Sequence, residues 1–313
     1  MTTQVAERYR LVTRSDFDGL VCAALLKELG ILDDIKFVHP KDMQDGLVEL
    51  TERDITTNLP YVPGVHLSFD HHDSETVRVT DSPDNHVIVA GAKSAARVVY
   101  DYYGGAQRFT QIGEDIMSAV DKADAADFTR DDIVSPQGWG YISFIMDPRT
   151  GLGRFHDFRI SNYQLMMQLI DDITTKSIDE ILQTPDIAER VDLYRAHADG
   201  AIDQVARCSR THGNVVVLDL REEDPILATN RFMVYAVRPE CNISIHILWG
   251  RGRQTTVFAV GKSILDRSST TDVGELMLSY GGGGHIAAGT CQVPNQDAER
   301  VLGELIARMN QDG

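Results

Sequence analysis

Two rhythms of hydrophobic and polar positions alternate along the first hundred residues. Short apolar runs at 8–13, 35–38, 65–69 and 86–90 predict strands. Between the first two, residues 20–29 read as a helix whose apolar positions nearly encircle it, so both its sides should be packed. Gly30 supplies its stop. Residues 94–103 form an amphipathic helix that ends at Gly104-Gly105. Strand–helix alternation of this kind predicts a parallel α/β sheet. In such sheets, ligands gather beyond the carboxyl ends of the strands.

A helical middle follows, at 111–123 and 162–182, and 186–208 has few breakers and reads as a connecting helix. Strand-like runs resume at 214–218, 232–235, 243–248 and 255–260. A helix at 273–280, a glycine run, a strand at 290–293 and a last helix after Asp297 complete the chain. The pattern predicts an α/β protein of two domains: 1–200 around a parallel sheet, a linker at 201–212, and a smaller α/β domain at 213–313, with a cleft between the two.

A length of 313 residues suits two such cores. Thirty Lys and Arg against forty-seven Asp and Glu give a formal charge of −17. That opposes a long track for duplex DNA, which needs many phosphate-neutralising cations. A small anionic substrate stays compatible, because a bound metal inverts the field inside one site. No apolar stretch reaches membrane-spanning length, and residues 1–8 carry no signal-peptide core. Cys22, Cys208, Cys241 and Cys291 are scattered, with no paired-thiol motif. A cytoplasmic protein without membrane attachment is the expectation.

Three segments carry chemistry. Asp70-His71-His72 closes an apolar run and offers oxygen and imidazole ligands to a divalent ion at a strand end. Asp16-Phe17-Asp18-Gly19 places two carboxylates two residues apart at another strand's exit, where extended alternation would point both the same way. Gly281 to Gly284, followed by His285-Ile286-Ala287-Ala288-Gly289, reads as a loop whose backbone N–H groups can approach an anion closely. Metal ligands at one end and a phosphate cradle at the other point to phosphate-ester chemistry.

In their order and spacing these three segments resemble the DHH phosphoesterase superfamily, specifically its two-domain members with a DHHA1 C-terminal domain. The resemblance spans nearly the whole chain. Members include exonucleases, oligoribonucleases, cyclic-dinucleotide phosphodiesterases, exopolyphosphatases and family II pyrophosphatases. It implies hydrolysis of short oligonucleotides, dinucleotides or polyphosphate, with manganese, or magnesium or another divalent metal, as one or two ions. By position it makes Asp16, Asp18 and His71 metal ligands, with Asp124 as the fourth-motif ligand and Asp121 its competitor. Asp70 would orient the histidines, and His72 would face the reacting phosphate. Gly282, Gly283, Gly284 and His285 would bind the substrate's terminal nucleotide or phosphate. A homodimer through the helical middle is the family's habit.

Two positions depart from that pattern. Arg14 stands where many relatives carry a His or Asp ligand, and Asn58 where a bridging aspartate is common. A guanidinium cannot coordinate metal, and an amide bridges two ions poorly. Arg14 is therefore expected to bind substrate phosphate or to replace one ion's charge. These departures also open a second reading, a nucleotide- or phosphate-binding protein with weakened hydrolysis.

Overall fold

The computed structural model describes residues 7–72, 75, 79, 83–155 and 157–313. The chain divides into two compact units. One comprises Met1–Asp127, Gln137–Pro148 and Phe155–Asp192, and the other Phe128–Pro136, Arg149–Arg154 and Leu193–Gly313.

The first unit is built on strands β1 (Tyr9–Thr13), β2 (Leu32–Phe37), β3 (Asp54–Thr57), β4 (Leu67–Asp70) and β5 (His86–Ile88). They lie in the order β2-β1-β3-β4-β5, and every neighbouring pair is parallel. Val12 pairs with Thr56 and Thr57 with Phe69, so the carboxyl ends of β1, β3 and β4 come out level. Helix α1 (Phe17–Glu28) follows β1, and Leu20 through Leu26 are all buried, as its encircling apolar pattern requires. It begins earlier than the pattern predicts because Asp16 caps it, accepting from the Gly19 N–H. The short α2 is Pro40–Gln44. Helix α3 (Ala95–Tyr102) is capped by Ser94, and α4 is Glu114–Asp124.

Beyond them come α5 (Arg130–Val134), which belongs to the second unit, and α6 (Trp139–Met146), which belongs to the first. The helix expected over 162–182 is two, α7 (Asn162–Thr175) and α8 (Ile178–Leu182). Ser177 and Glu180 form a capping box that starts the second. Helix α9 (Pro185–Cys208) runs straight into β6 (Ser209–His212), so residues 201–212 are regular structure throughout.

The second unit adds β7 (Val215–Asp219), α10 (Met233–Val237), β8 (Ile243–Trp249), β9 (Thr255–Lys262), α11 (Val273–Leu278), β10 (Gly283–His285), β11 (Ala288–Pro294) and α12 (Ala298–Asp312). Its sheet runs β10-β11-β9-β8-β7-β6 and is antiparallel except between β7 and β8. Val217, Ile245, Phe258, Val301 and Leu305 meet in its core. Two expectations are corrected. The strand expected over 232–235 is instead the N-cap Phe232 and the start of helix Met233–Val237: a four-residue apolar run fits either, and here Met233 through Ala236 are all buried in helical form. The glycine run is not wholly a loop, because Gly283–His285 is an edge strand. Among the described residues no helix is long and apolar enough to cross a membrane.

Candidate metal centre

The site grows from the carboxyl ends of β1 and β4. After Thr13 the chain leaves the sheet, and the start of α1 closes on the Arg14 carbonyl. A Cβ on Gly19 would stand 2.1 Å from that oxygen, so only glycine lets the helix begin here. Asp16 and Asp18 are consequently not alternate residues of a strand, as expected, but the cap and the first turn of a helix. Their side chains diverge. Asp18 is buried, accepting from the Ala95 N–H at 3.0 Å and the Ala96 N–H at 2.7 Å. These are the first amides of α3, whose dipole favours an anion.

Strand β4 ends at Asp70, and His71 and His72 follow. His71 Nδ1 lies 3.1 Å from the Ala92 carbonyl, which can only accept, so this nitrogen carries the proton. Its Nε2 then faces Asp124, the last residue of α4, with 2.9 Å to Oδ2. The contact lacks hydrogen-bond alignment, and the buried Nε2 has no hydrogen-bond partner. One donor atom each from Asp18, His71 and Asp124 falls within 4.8 Å of the others.

Burial opposes charge at Asp18 and His71. It raises Asp18 well above the usual carboxylate range, and the Asp124 charge adds to it against the pull of His71. Burial likewise disfavours a charged His71 ring, but the carboxylates of Asp124, Asp18 and Asp70 outweigh it and lift the ring to about 9. Two carboxylates and an imidazole lone pair aimed at one point are all acceptors. They need a cation among them, either a proton on His71 or a metal ion, and the N/O donor set suits a divalent ion of the manganese or magnesium kind.

Asp70, His71 and His72 also bring one donor atom each within 4.8 Å of the others, but Asp70 Oδ1 is already committed. It accepts from the His71 N–H at 2.8 Å, the His72 N–H at 3.3 Å and His72 Nδ1 at 2.7 Å. Asp70 therefore fixes the His72 ring and both backbones, while the His71 ring is fixed by Ala92. The His72 side chain is 41% exposed, and its Nε2 is the ring atom turned away from Asp70.

Asp16 stands apart from the three-donor cluster. One oxygen caps α1 at 2.9 Å from the Gly19 nitrogen, and the other takes Arg14 Nε at 3.0 Å. Burial raises its carboxyl, opposed by the Arg14 charge. Arg14 Nη1 in turn lies 3.5 Å from Asn58 Oδ1. Asn58 is buried at the end of β3 with φ of 54°, a left-handed conformation that Asn tolerates better than most residues. Asp121, the competitor of Asp124, is taken up elsewhere: it accepts from Ser94 Oγ at 2.7 Å and from Arg97 Nε at 2.9 Å.

The glycine segment is a hairpin. Gly283 pairs with Thr290 and His285 with Ala288. A Cβ on Gly282 would meet the Thr290 carbonyl at 2.1 Å, and one on Gly284 the Ala288 carbonyl at 2.4 Å. Close strand approach thus explains two of the four glycines, and Gly281 supplies a positive φ of 73°. Gly283 has open space around its Cβ position, and His285 is exposed.

Sequence reasoning missed the backbone of the site, namely the Ala92 carbonyl and the Ala95 and Ala96 amides. Ser94 ahead of an apolar run was the available signal for the amides, since it marks a helix N-terminus. For the carbonyl there was none.

The chain overlays on the pGpG-specific phosphodiesterase PggH of Vibrio cholerae with a TM-score of 0.85. Sequence identity is 58%, covering 98% of this chain and 100% of that one. CDC45 from Entamoeba histolytica overlays at a TM-score of 0.51 and 8% identity over 96% of this chain and 95% of that one, a likeness of fold alone. No family model and no curated protein sequence matches the chain.

Proposed function

The chain belongs to the DHH phosphoesterase family and is a metal-dependent phosphoesterase of short substrates; from that premise we propose that it cleaves the single internal phosphodiester of a linear dinucleotide of the pGpG kind. The observation that carries this reading is full-length similarity to a pGpG-specific phosphodiesterase, 58% identical along both chains. The acidic chain, at −17, suits a two-nucleotide substrate better than a long polyanion.

Asp18, His71 and Asp124 are the residues that would hold the ion, manganese being the proposed species. When bound, a divalent ion supplies Lewis acidity toward a phosphoryl oxygen and lowers the pKa of water. The remaining work falls to side chains. Asp70 keeps the Nδ1 proton on His72, so Nε2 presents a lone pair that can accept a proton from the attacking water or, protonated, donate one to the leaving ribose oxygen. Arg14, one-third exposed, has donors to spare for a phosphate oxygen. Gly282, Gly283, Gly284 and His285 are the residues of the second unit assigned to substrate binding, the last three of them exposed. Water consumed at the diester splits pGpG into two molecules of GMP. Four free cysteines suit the reducing cytoplasm as the place of this reaction.

The test is a product assay with manganese present on pGpG, a cyclic dinucleotide, a ribo-oligomer of five residues and linear polyphosphate. GMP release from pGpG at least about 100-fold faster per enzyme, a difference of about 3 kcal/mol in barrier, is the expected outcome. Faster phosphate release from polyphosphate would overturn it.

A further inference from the structure

Beside the three-donor cluster stands a second group of polar side chains that the metal reading leaves unused. Asp16 and Asn58 converge on Arg14 from two different elements, the cap of α1 and the end of β3. Three features mark the group as built. The Asp16 carboxylate spends one oxygen on the helix cap and the other on the guanidinium. Asn58 is held in a left-handed conformation at 1% exposure. Its amide orientation is fixed too, because turning it would aim an N–H at Arg14; the cost accepted is a buried Nδ2 without a hydrogen-bond partner.

We infer that Arg14 is a permanent built-in cation that takes the place of a second metal ion, so the site loads one divalent ion per chain. This rests on the reading of Asp18, His71 and Asp124 as the ion's ligands. Charge bookkeeping agrees with one ion. Asp16, Asp18 and Asp124 supply three negative charges. Arg14 and one divalent ion supply three positive ones, with His71 neutral as a ligand. A second divalent ion would add two positive charges, and the further carboxylate beside the cluster, Asp70, is already tied to the His72 ring and two backbone N–H groups. Asn58 offers only an amide oxygen, which already leans toward Arg14, and Asp16 gives one oxygen to the guanidinium itself, so its charge is already met there. A guanidinium, unlike an ion, cannot be stripped away, and its N–H groups can grip a phosphate oxygen without exchanging water. The substrate class it implies is one whose phosphate needs a single ion for activation and a fixed cation for orientation.

The experiment counts manganese. The full chain is stripped with chelator and equilibrated at a series of free Mn2+ concentrations. Bound ions are then measured by elemental analysis, and spin-coupled pairs by electron paramagnetic resonance. The unmodified chain should saturate at one ion with an uncoupled signal. Arg14→Lys keeps the cation and should also saturate at one. Arg14→His with Asn58→Asp supplies two ligands in its place and should saturate at two, with the coupled signature, in protein whose circular dichroism is native. Two ions in the unmodified chain, or one in the folded double variant, overturns the inference and leaves the metal reading standing. No ion in any of the three overturns both.

Discussion

The Asp18–His71–Asp124 cluster and the Gly281–Gly289 hairpin look equally suggestive in sequence and are physically opposite. In the cluster, backbone groups pin two of the three side chains, Asp18 by Ala95 and Ala96 and His71 by Ala92, and donor atoms of all three, Asp124 included, lie within 4.8 Å of one another. Acceptors held this close together, with Asp18 buried, are costly without a cation, so the arrangement itself calls for one. In the hairpin, the missing side chains are largely accounted for by close strand approach at Gly282 and Gly284. What remains for a ligand is exposed backbone, Gly283 and His285. Chemistry left over after internal bonding is evidence of function. Glycine alone is evidence of a tight turn or a close contact.

The largest effect tests the cluster directly. Asp18→Ala removes a carboxylate proposed as a ligand, the one that faces the α3 amides. Bound manganese should disappear, and turnover of pGpG should fall by about 1000-fold, about 4 kcal/mol of barrier. Elemental analysis alongside steady-state rates checks it. Retention of stoichiometric metal would dissolve the contrast, since the cluster would then be no more committed than the hairpin.

His72→Ala should come next, at about 100-fold in kcat with metal content unchanged, the usual scale for losing a positioned acid or base. A matching loss of bound manganese would move His72 from proton transfer to ligation and redraw the boundary of the cluster.

How far the sequence carried these readings follows from what each feature depends on. Strand and helix periodicity made the parallel sheet legible, along with the placement of Asp16, Asp18 and Asp70 to His72 at its carboxyl edge. The divergence of Asp16 from Asp18 was not legible, because it follows from where α1 starts. That start depends on a 2.1 Å clearance at Gly19, which no pattern encodes. The choice of Asp124 over Asp121 depends likewise on Ser94 and Arg97 capturing the latter across 27 and 24 residues. The run at 232–235 failed for a simpler reason: four apolar residues have no period to read.

A smaller effect concerns protons. In the metal-free chain His71 sits at about 9, above its ordinary value near 6.5. The charged ring's contribution to stability is therefore complete below about pH 6.5 and lost as pH rises through about 9. A metal ion must displace that proton, so apparent manganese affinity should climb by about tenfold per pH unit between about 6.5 and 8.5. Calorimetry in buffers of differing ionisation enthalpy would detect the released proton. A flat affinity across that window would mean the ion does not use His71 Nε2, which would strip the cluster of its distinguishing feature.

The smallest effects divide the hairpin against itself. Gly284→Ala drives a Cβ to 2.4 Å from both the Ala288 carbonyl oxygen and the Gly289 Cα. Both are backbone atoms that cannot step aside, so stability should drop by about 1–3 kcal/mol, as for other overpacked sites. Gly283→Ala meets nothing within 4 Å and should leave the melting temperature unchanged. His285 is exposed and supports no core, so His285→Ala should also melt like the unmodified chain. If the hairpin binds substrate, that last variant should raise KM for pGpG by about tenfold, about 1.4 kcal/mol, with kcat held. Paired melting curves and kinetics on the three variants separate a packing role from a binding one. Should His285→Ala leave both KM and kcat untouched while Gly284→Ala still destabilises, the hairpin is structure only, and substrate recognition belongs to the Arg14 side of the metal site.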